Sequence, residues 1–279
     1  MATTITTTTA ATPTVLLVPG YWEGPAAFQP LSDALSRVGI RVSTASLRSS
    51  GHADPPAPGG ATGAAGTEVG QRRWTLADDT AGVREAIQRA VDEDAGEAGV
   101  VLFLHSVGGV IGSNAMEGLD FAAWAEKSKS GSSAGGGGVR KIIFCAAGVA
   151  PEGFDQFGGP FVVEHDDENG TYCTCRDAKE LLFHDLPPDQ ADRWHKELRV
   201  QPTVRHWASS GPVAHCGWRN VPSTYILCEQ DRLIPTELQE ALAEMAGCGK
   251  VVRLQAGHCP FLSMTDDVAR VIAEEVEGL

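Results

Sequence analysis

Apolar residues along the chain follow two alternating patterns. Short, unbroken runs close on turn residues: TVLLVPG at 14–20, VVLFL at 100–104, KIIFC at 141–145, STYILC at 223–228 and VVRLQ at 251–255, with a shorter run at 41–45. Continuous runs of this length suit strands buried on both faces, as in a parallel sheet. Between them, apolar positions recur every three or four residues. In 25–38 the stripe is Ala27, Phe28, Leu31, Ala34, Leu35 and Val38, and Pro25 can occupy a first helical turn. The same spacing predicts helices over 75–92, 107–116, 236–246 and 266–276. Strand and helix alternate, which predicts an α/β fold, a mostly parallel sheet with helices on both faces.

Three stretches break the alternation. Residues 49–70 are loaded with Gly, Ala and Pro and read as a long surface excursion. SKSGSSAGGGG at 128–138 reads as a low-complexity loop. Over 151–215 the regular pattern gives way to an aromatic and histidine-bearing segment with one clear helical piece at 189–198, the expected cap or lid. The expected organisation is a disordered Thr-rich start over 1–13, then one domain over 14–279 with the cap inserted at about 151–215.

Composition narrows the function classes. A formal net charge of −14 leaves no basic stripe, so nucleic acid and anionic membranes are not expected partners. Seven scattered cysteines, an odd number, do not resemble a paired secreted framework. No signal-peptide pattern and no run of membrane-spanning length occurs, so a soluble, cytoplasmic protein is expected. Oligomeric state is open, a homodimer among the options.

The run at 100–104 leads straight into His105-Ser106-Val107-Gly108-Gly109, where a helical pattern begins at once. A serine in such a strand, turn and helix is held in a strained conformation, with its hydroxyl above the sheet and a helix N-terminus beneath. The usual pattern is G-x-S-x-G; Gly108 supplies the second glycine and Leu104 stands in place of the first. A serine hydroxyl needs an imidazole to take its proton, and the imidazole needs a carboxylate to orient it. After STYILC comes Asp231, with Glu229 as runner-up; Asp266 and Asp267 follow the proposed histidine and have the wrong order. After VVRLQ comes His258 in AGHCPF. His206 and His215 precede the acid, His52 lies in the excursion, His184 and His195 read as cap surface, and His105 should point away from its neighbouring serine. Backbone N–H groups of Tyr21 and Val107 occupy the places from which an oxyanion hole is built.

With these residues assembled, the sequence resembles the α/β-hydrolase superfamily, in particular the branch related to plant esterases, hydroxynitrile lyases and many fungal and bacterial hydrolases. LLVPGYW, LFLHSVGG, VPSTYILCEQDRLIP and LQAGHCPFLS carry the resemblance, which covers about residues 14–279. It implies a triad of Ser106, Asp231 and His258, an oxyanion hole at Tyr21 and Val107, and a cap over an apolar pocket. Trp22, Phe161, Trp194 and Trp207 are the candidate pocket aromatics.

Other motifs carry less. Val107 stands where a dinucleotide-binding turn needs its first glycine, and AGGGG lacks the Gly-Lys-Ser/Thr ending of a phosphate loop. Cys173-Thr174-Cys175 has no second pair to complete a zinc site, so neither metal nor cofactor is expected. The expected reaction is hydrolysis of a small, mostly apolar ester or lactone through an acyl-enzyme. The alternatives are a non-hydrolytic enzyme of the same fold (lyase, cyclase or decarboxylating) and a ligand-binding receptor.

Overall fold

Each of the six apolar runs becomes a strand of one sheet in the computed structural model, which describes residues 12–52, 73–93, 98–129, 137–167 and 170–279. The expectations for the Thr-rich start, for most of the Gly/Ala/Pro stretch and for the body of the Gly/Ser loop lie outside these residues. In chain order the strands are β1 (Thr14–Val18), β2 (Val42–Thr44), β3 (Val100–His105), β4 (Val139–Cys145), β5 (Val162–Asp167), β6 (Gly170–Cys175), β7 (Ser223–Cys228) and β8 (Lys250–Leu254). The main sheet has the order β2-β1-β3-β4-β7-β8 and every pairing in it is parallel. Burial follows position: β3 and β7 are buried along their whole length, whereas edge strand β8 is largely exposed. Unbroken apolar runs therefore mark the interior strands.

The longer helices are α1 (Gln29–Arg37), α2 (Leu76–Glu93), α3 (Gly108–Asn114) and α4 (Phe121–Lys129) in the first half of the chain. The single helix expected from Pro25 is split, a 3-10 turn over Pro25–Phe28 preceding α1. Pro30 lacks the N–H that would bond back to the preceding turn, so the helix restarts there. The second half holds α5 (Ala178–Leu182), α6 (Pro188–Glu197), α7 (Val204–Trp207), α8 (Thr236–Met245), α9 (Pro260–Ser263) and α10 (Thr265–Glu277). Helix α1 packs with α10, and α2 packs with α3 and against β1 and β3.

Between β4 and β7 the chain leaves the sheet and builds the antiparallel hairpin β5–β6 with α5, α6 and α7. This excursion is fastened to the sheet's loops. Arg199 N–H donates to the Trp22 carbonyl at 2.8 Å, and Trp22 Nε1 donates to the Cys173 carbonyl at 3.3 Å. A buried carboxylate adds a further tie, Asp79 of α2 accepting from Ser49 N–H, Ser49 Oγ and Trp207 Nε1 at 2.6–2.8 Å.

Because all six strands run the same way, the loops after β1, β3, β7 and β8 leave from one edge of the sheet. In the order β2-β1-β3 successive strands are added on opposite sides of β1, so the β1–β3 crevice is the switch point at which α/β sheets place their ligand sites.

Candidate active site

Ser106 sits between β3 and α3 with φ of 53°, the left-handed region that non-glycine residues rarely enter. Such a conformation costs about 1–3 kcal/mol and persists only where the surroundings impose it. Here they do: Ser106 N–H donates to the Cys145 carbonyl at 3.3 Å, and the Ser106 carbonyl accepts from Gly109 N–H at 3.0 Å and Gly148 N–H at 2.9 Å. The turn closes tightly against the loop after β1, where a Cβ on Gly20 would lie 2.7 Å from Ser106 Cβ. Leu104, the departure from G-x-S-x-G, is fully buried and is accommodated by a different glycine. A Cβ on Gly112 of α3 would meet Leu104 Cδ2 at 2.5 Å, so the missing side chain on the helix makes room for the extra one on the strand.

The acid and the histidine meet as expected. His258 Nδ1 lies 2.8 Å from Asp231 Oδ2, and both groups are buried. Asp231 Oδ1 accepts from Leu233 N–H at 2.8 Å and Ile234 N–H at 3.0 Å, which leaves Oδ2 for the imidazole. Burial alone would raise the Asp231 carboxyl; the attraction and hydrogen bond of His258 and the two N–H groups outweigh it, and the net shift is downward. Burial alone would lower His258; Asp231, with Glu23 and Asp185 beyond it, reverses this and raises it. With Nδ1 donating to the carboxylate, Nε2 is the basic nitrogen of the neutral ring. Glu229, the runner-up acid, is turned to the surface, where it pairs with Arg253 and Gln255.

Ser106 reaches this pair through its neighbour. The His105 and His258 rings lie 4.7 Å apart, and His105 Nε2 donates to the His258 carbonyl at 2.9 Å. Neither ring nitrogen of His105 bonds the serine. The hydrogen bonds of the described residues join His258 to Asp231 and to His105, and none of them joins it to Ser106. Half-buried Ser106 keeps its hydroxyl accessible. The N–H groups of Tyr21 and Val107 donate to no other group among the described residues.

Three of the four candidate aromatics gather beside the β1 loop. Trp207 packs edge-on to Tyr21 at 5.0 Å, and Phe161 edge-on to Trp22 at 6.2 Å, while Tyr21 and Trp22 lie 5.7 Å apart. Trp194 does not join them; it lines a separate cleft with Gly24, Ala27, Phe183 and Leu262.

Sequence reasoning missed several polar groups. Glu23 Oε2 accepts from Gly20 N–H at 2.9 Å and lies 2.9 Å from His105 Nδ1. Asp185 Oδ2 accepts from Gly257 N–H at 2.7 Å, directly before His258. His184, expected on the cap surface, is half-buried and bonds the Gln230 carbonyl at 2.9 Å, directly before Asp231. An acid close to the first glycine turn and a histidine preceding the serine were the available signals for Glu23 and His105. Glu23, His105 and Cys259 bring potential metal-ligating atoms within 4.8 Å of one another, but those atoms are already engaged in hydrogen bonds among themselves.

Comparison with known proteins gives the family and the fold. A sequence profile described as the alpha/beta hydrolase family matches residues 15–271. The chain is 30% identical over 272 residues to the alpha/beta hydrolase nvfD of Aspergillus novofumigatus, covering 93% of this chain and 95% of that one. Among solved structures, a methylesterase from Arabidopsis superposes with a TM-score of 0.66 at 15% identity, over 95% of this chain and 100% of its own. Tomato methylketone synthase I, solved with 2-tridecanone, gives 0.67 at 12% identity, over 96% and 99%. At these identities the solved structures speak to the fold, while the profile and the fungal relative span nearly the whole sequence. The chain belongs to the alpha/beta hydrolase family of enzymes.

Proposed function

We propose that the protein is a serine hydrolase of small, mostly apolar esters or lactones, working through an acyl-enzyme. One observation carries the reading: a serine held in a left-handed turn after β3 stands one residue from a histidine whose ring neighbours a buried His258–Asp231 pair. In the reaction, Ser106 Oγ turns to His258 Nε2, loses its proton to it and attacks the carbonyl carbon. Catalytic hydrogen bonds commonly tighten only when substrate is bound. Tyr21 and Val107 N–H groups receive the charge on the carbonyl oxygen, and His258 returns the proton to the leaving alcohol. Water, deprotonated by the same nitrogen, then releases the acid. Asp231 stays ionised and orients the ring.

Residues 14–279 are read as one domain with 151–215 as its cap; half-buried Phe161 is the candidate substrate contact, with buried Trp22 and Trp207 packed behind the β1 loop, and Trp194 belongs to the cleft between the cap and the first helical segment. No helix among the described residues is long and apolar enough to cross a membrane, which suits a small-molecule substrate taken from water.

The test is acid release from a panel of p-nitrophenyl esters and simple lactones. Wild-type turnover is expected, with Ser106→Ala lowering kcat by orders of magnitude, about 10⁶-fold in the best-studied case, and leaving the melting curve in place. Undiminished hydrolysis by Ser106→Ala would reject the assignment. The fold also carries the tomato synthase, so it does not choose the reaction by itself. Fluorophosphonate labelling without turnover of any ester would turn the reading toward non-hydrolytic chemistry at the same residues.

A further inference from the structure

A second buried carboxylate–imidazole pair lies beside the first. Glu23 follows β1 and is 5% exposed; His105 ends β3 and is fully buried. Their closest atoms, Glu23 Oε2 and His105 Nδ1, are 2.9 Å apart. The same Oε2 accepts Gly20 N–H at 2.9 Å, and Cys259 Sγ donates to Oε1 at 3.6 Å. On its far side His105 donates from Nε2 to the His258 carbonyl at 2.9 Å. One carboxylate therefore touches the loop that carries the oxyanion N–H of Tyr21, the turn that carries Ser106 and the loop that carries His258.

The protons can be placed. A carbonyl oxygen only accepts, so Nε2 of His105 carries hydrogen. Burial alone would raise the Glu23 carboxyl; the attraction and hydrogen bond of His105, Gly20 N–H and the charge of His258 outweigh it and hold the group below the ordinary carboxylate range. One hydrogen lies in the Glu23–His105 contact and another in the bond from Nε2 to the His258 carbonyl, so the ring is held by a directed bond on each side.

We infer that Glu23 is a positioning residue for this site: directly and through His105 it locks the oxyanion loop, the nucleophile turn and the His258 loop in one register. The inference rests on the serine-hydrolase reading for its catalytic consequence, though not for the geometry of the pair. No atom of Glu23 need meet substrate. Its loss acts through misplacement of reacting groups, where a displacement of about 1 Å can cost 10²-fold in rate.

The test uses the full chain. Glu23→Ala is expected to lower kcat on a p-nitrophenyl ester about 10- to 100-fold with KM nearly unchanged, and Glu23→Gln, whose amide oxygen can still accept the Gly20 N–H, to recover part of it. Undiminished kcat in Glu23→Ala, a defect confined to KM, or a Glu23→Gln enzyme no better than Glu23→Ala would overturn the inference. If Glu23→Ala melts below the assay temperature, Glu23→Asp, one methylene too short to hold all three loops, decides by the same split of kcat from KM. Failure of the serine-hydrolase reading shows separately, as wild-type protein that neither cleaves an ester nor takes up a fluorophosphonate.

Discussion

Asp231 and His258 illustrate how far one side chain sets the behaviour of another. The carboxylate is lowered and the imidazole raised because each, though desolvated, faces the other at 2.8 Å. His258 acts as a base only when neutral, so a raised value moves the acid limb of kcat/KM above the ordinary histidine value of 6.5, and activity rises as pH climbs through it. Asp231→Asn should shift that limb downward and lower kcat by about 10⁴-fold, the loss seen when a serine protease triad loses its carboxylate. A pH–rate profile of the two proteins checks both; an unmoved limb would show that another group sets it. The three triad candidates were readable from sequence because each sits in a short local pattern at the end of an apolar run. Glu23, Asp185 and His184 were not, since no local pattern shows that their side chains will bond loops 46 to 236 residues away.

Among the elements, β3 and α3 answer each other. Leu104 occupies a place where the pattern expects glycine, and Gly112 yields the space, its absent Cβ falling 2.5 Å from Leu104 Cδ2. Gly112→Val should therefore overpack the strand–helix contact and destabilise the fold by about 1–3 kcal/mol. Leu104→Ala alone should cost about 2–5 kcal/mol by leaving a cavity. Made together, the two should be at least about 1 kcal/mol less destabilising than their sum, as expected for residues in contact. Denaturant titration of the four proteins measures the coupling, and strict additivity would contradict this account of the turn. The interior strands of the sheet were legible because burial on both faces demands unbroken apolar runs, while edge strands β2 and β8 showed as short β-branched runs in the alternation with helices. Hairpin β5–β6 was missed: its residues are mostly half-buried or exposed and carry Glu164, Asp166 and Asp167, so the apolar signal is weak. The usable clue was the Asn169-Gly170 dipeptide at the junction of two runs that then pair antiparallel, with Gly170 opening β6.

The molecule as a whole carries a net charge of −14, yet one of its buried carboxylates is firmly matched. Glu275 of α10 binds Lys141 of β4, Lys250 of β8 at 2.9 Å and Thr224 of β7 at 2.8 Å, clamping the last helix to three strands. Burial would raise it, but these partners bring it from an ordinary 4.5 down to about 2. A lowered carboxyl stabilises the fold above its unfolded value and loses that contribution as pH falls toward its folded value. Thermal melting should thus drop between pH 4.5 and about 2, and Glu275→Gln should flatten that slope; an unchanged slope would remove Glu275 from the balance. The same fold sets Ser106 on the loop after β3 and the His258–Asp231 pair on the loops after β8 and β7, and the measurement that tests most directly whether the three work as one site is peptide mapping by mass spectrometry after treatment with a fluorophosphonate. The expected result is a single adduct on Ser106 that forms far more slowly in His258→Ala protein of unchanged fold. An adduct on another residue, or one on Ser106 that forms at the same rate without His258, would contradict it.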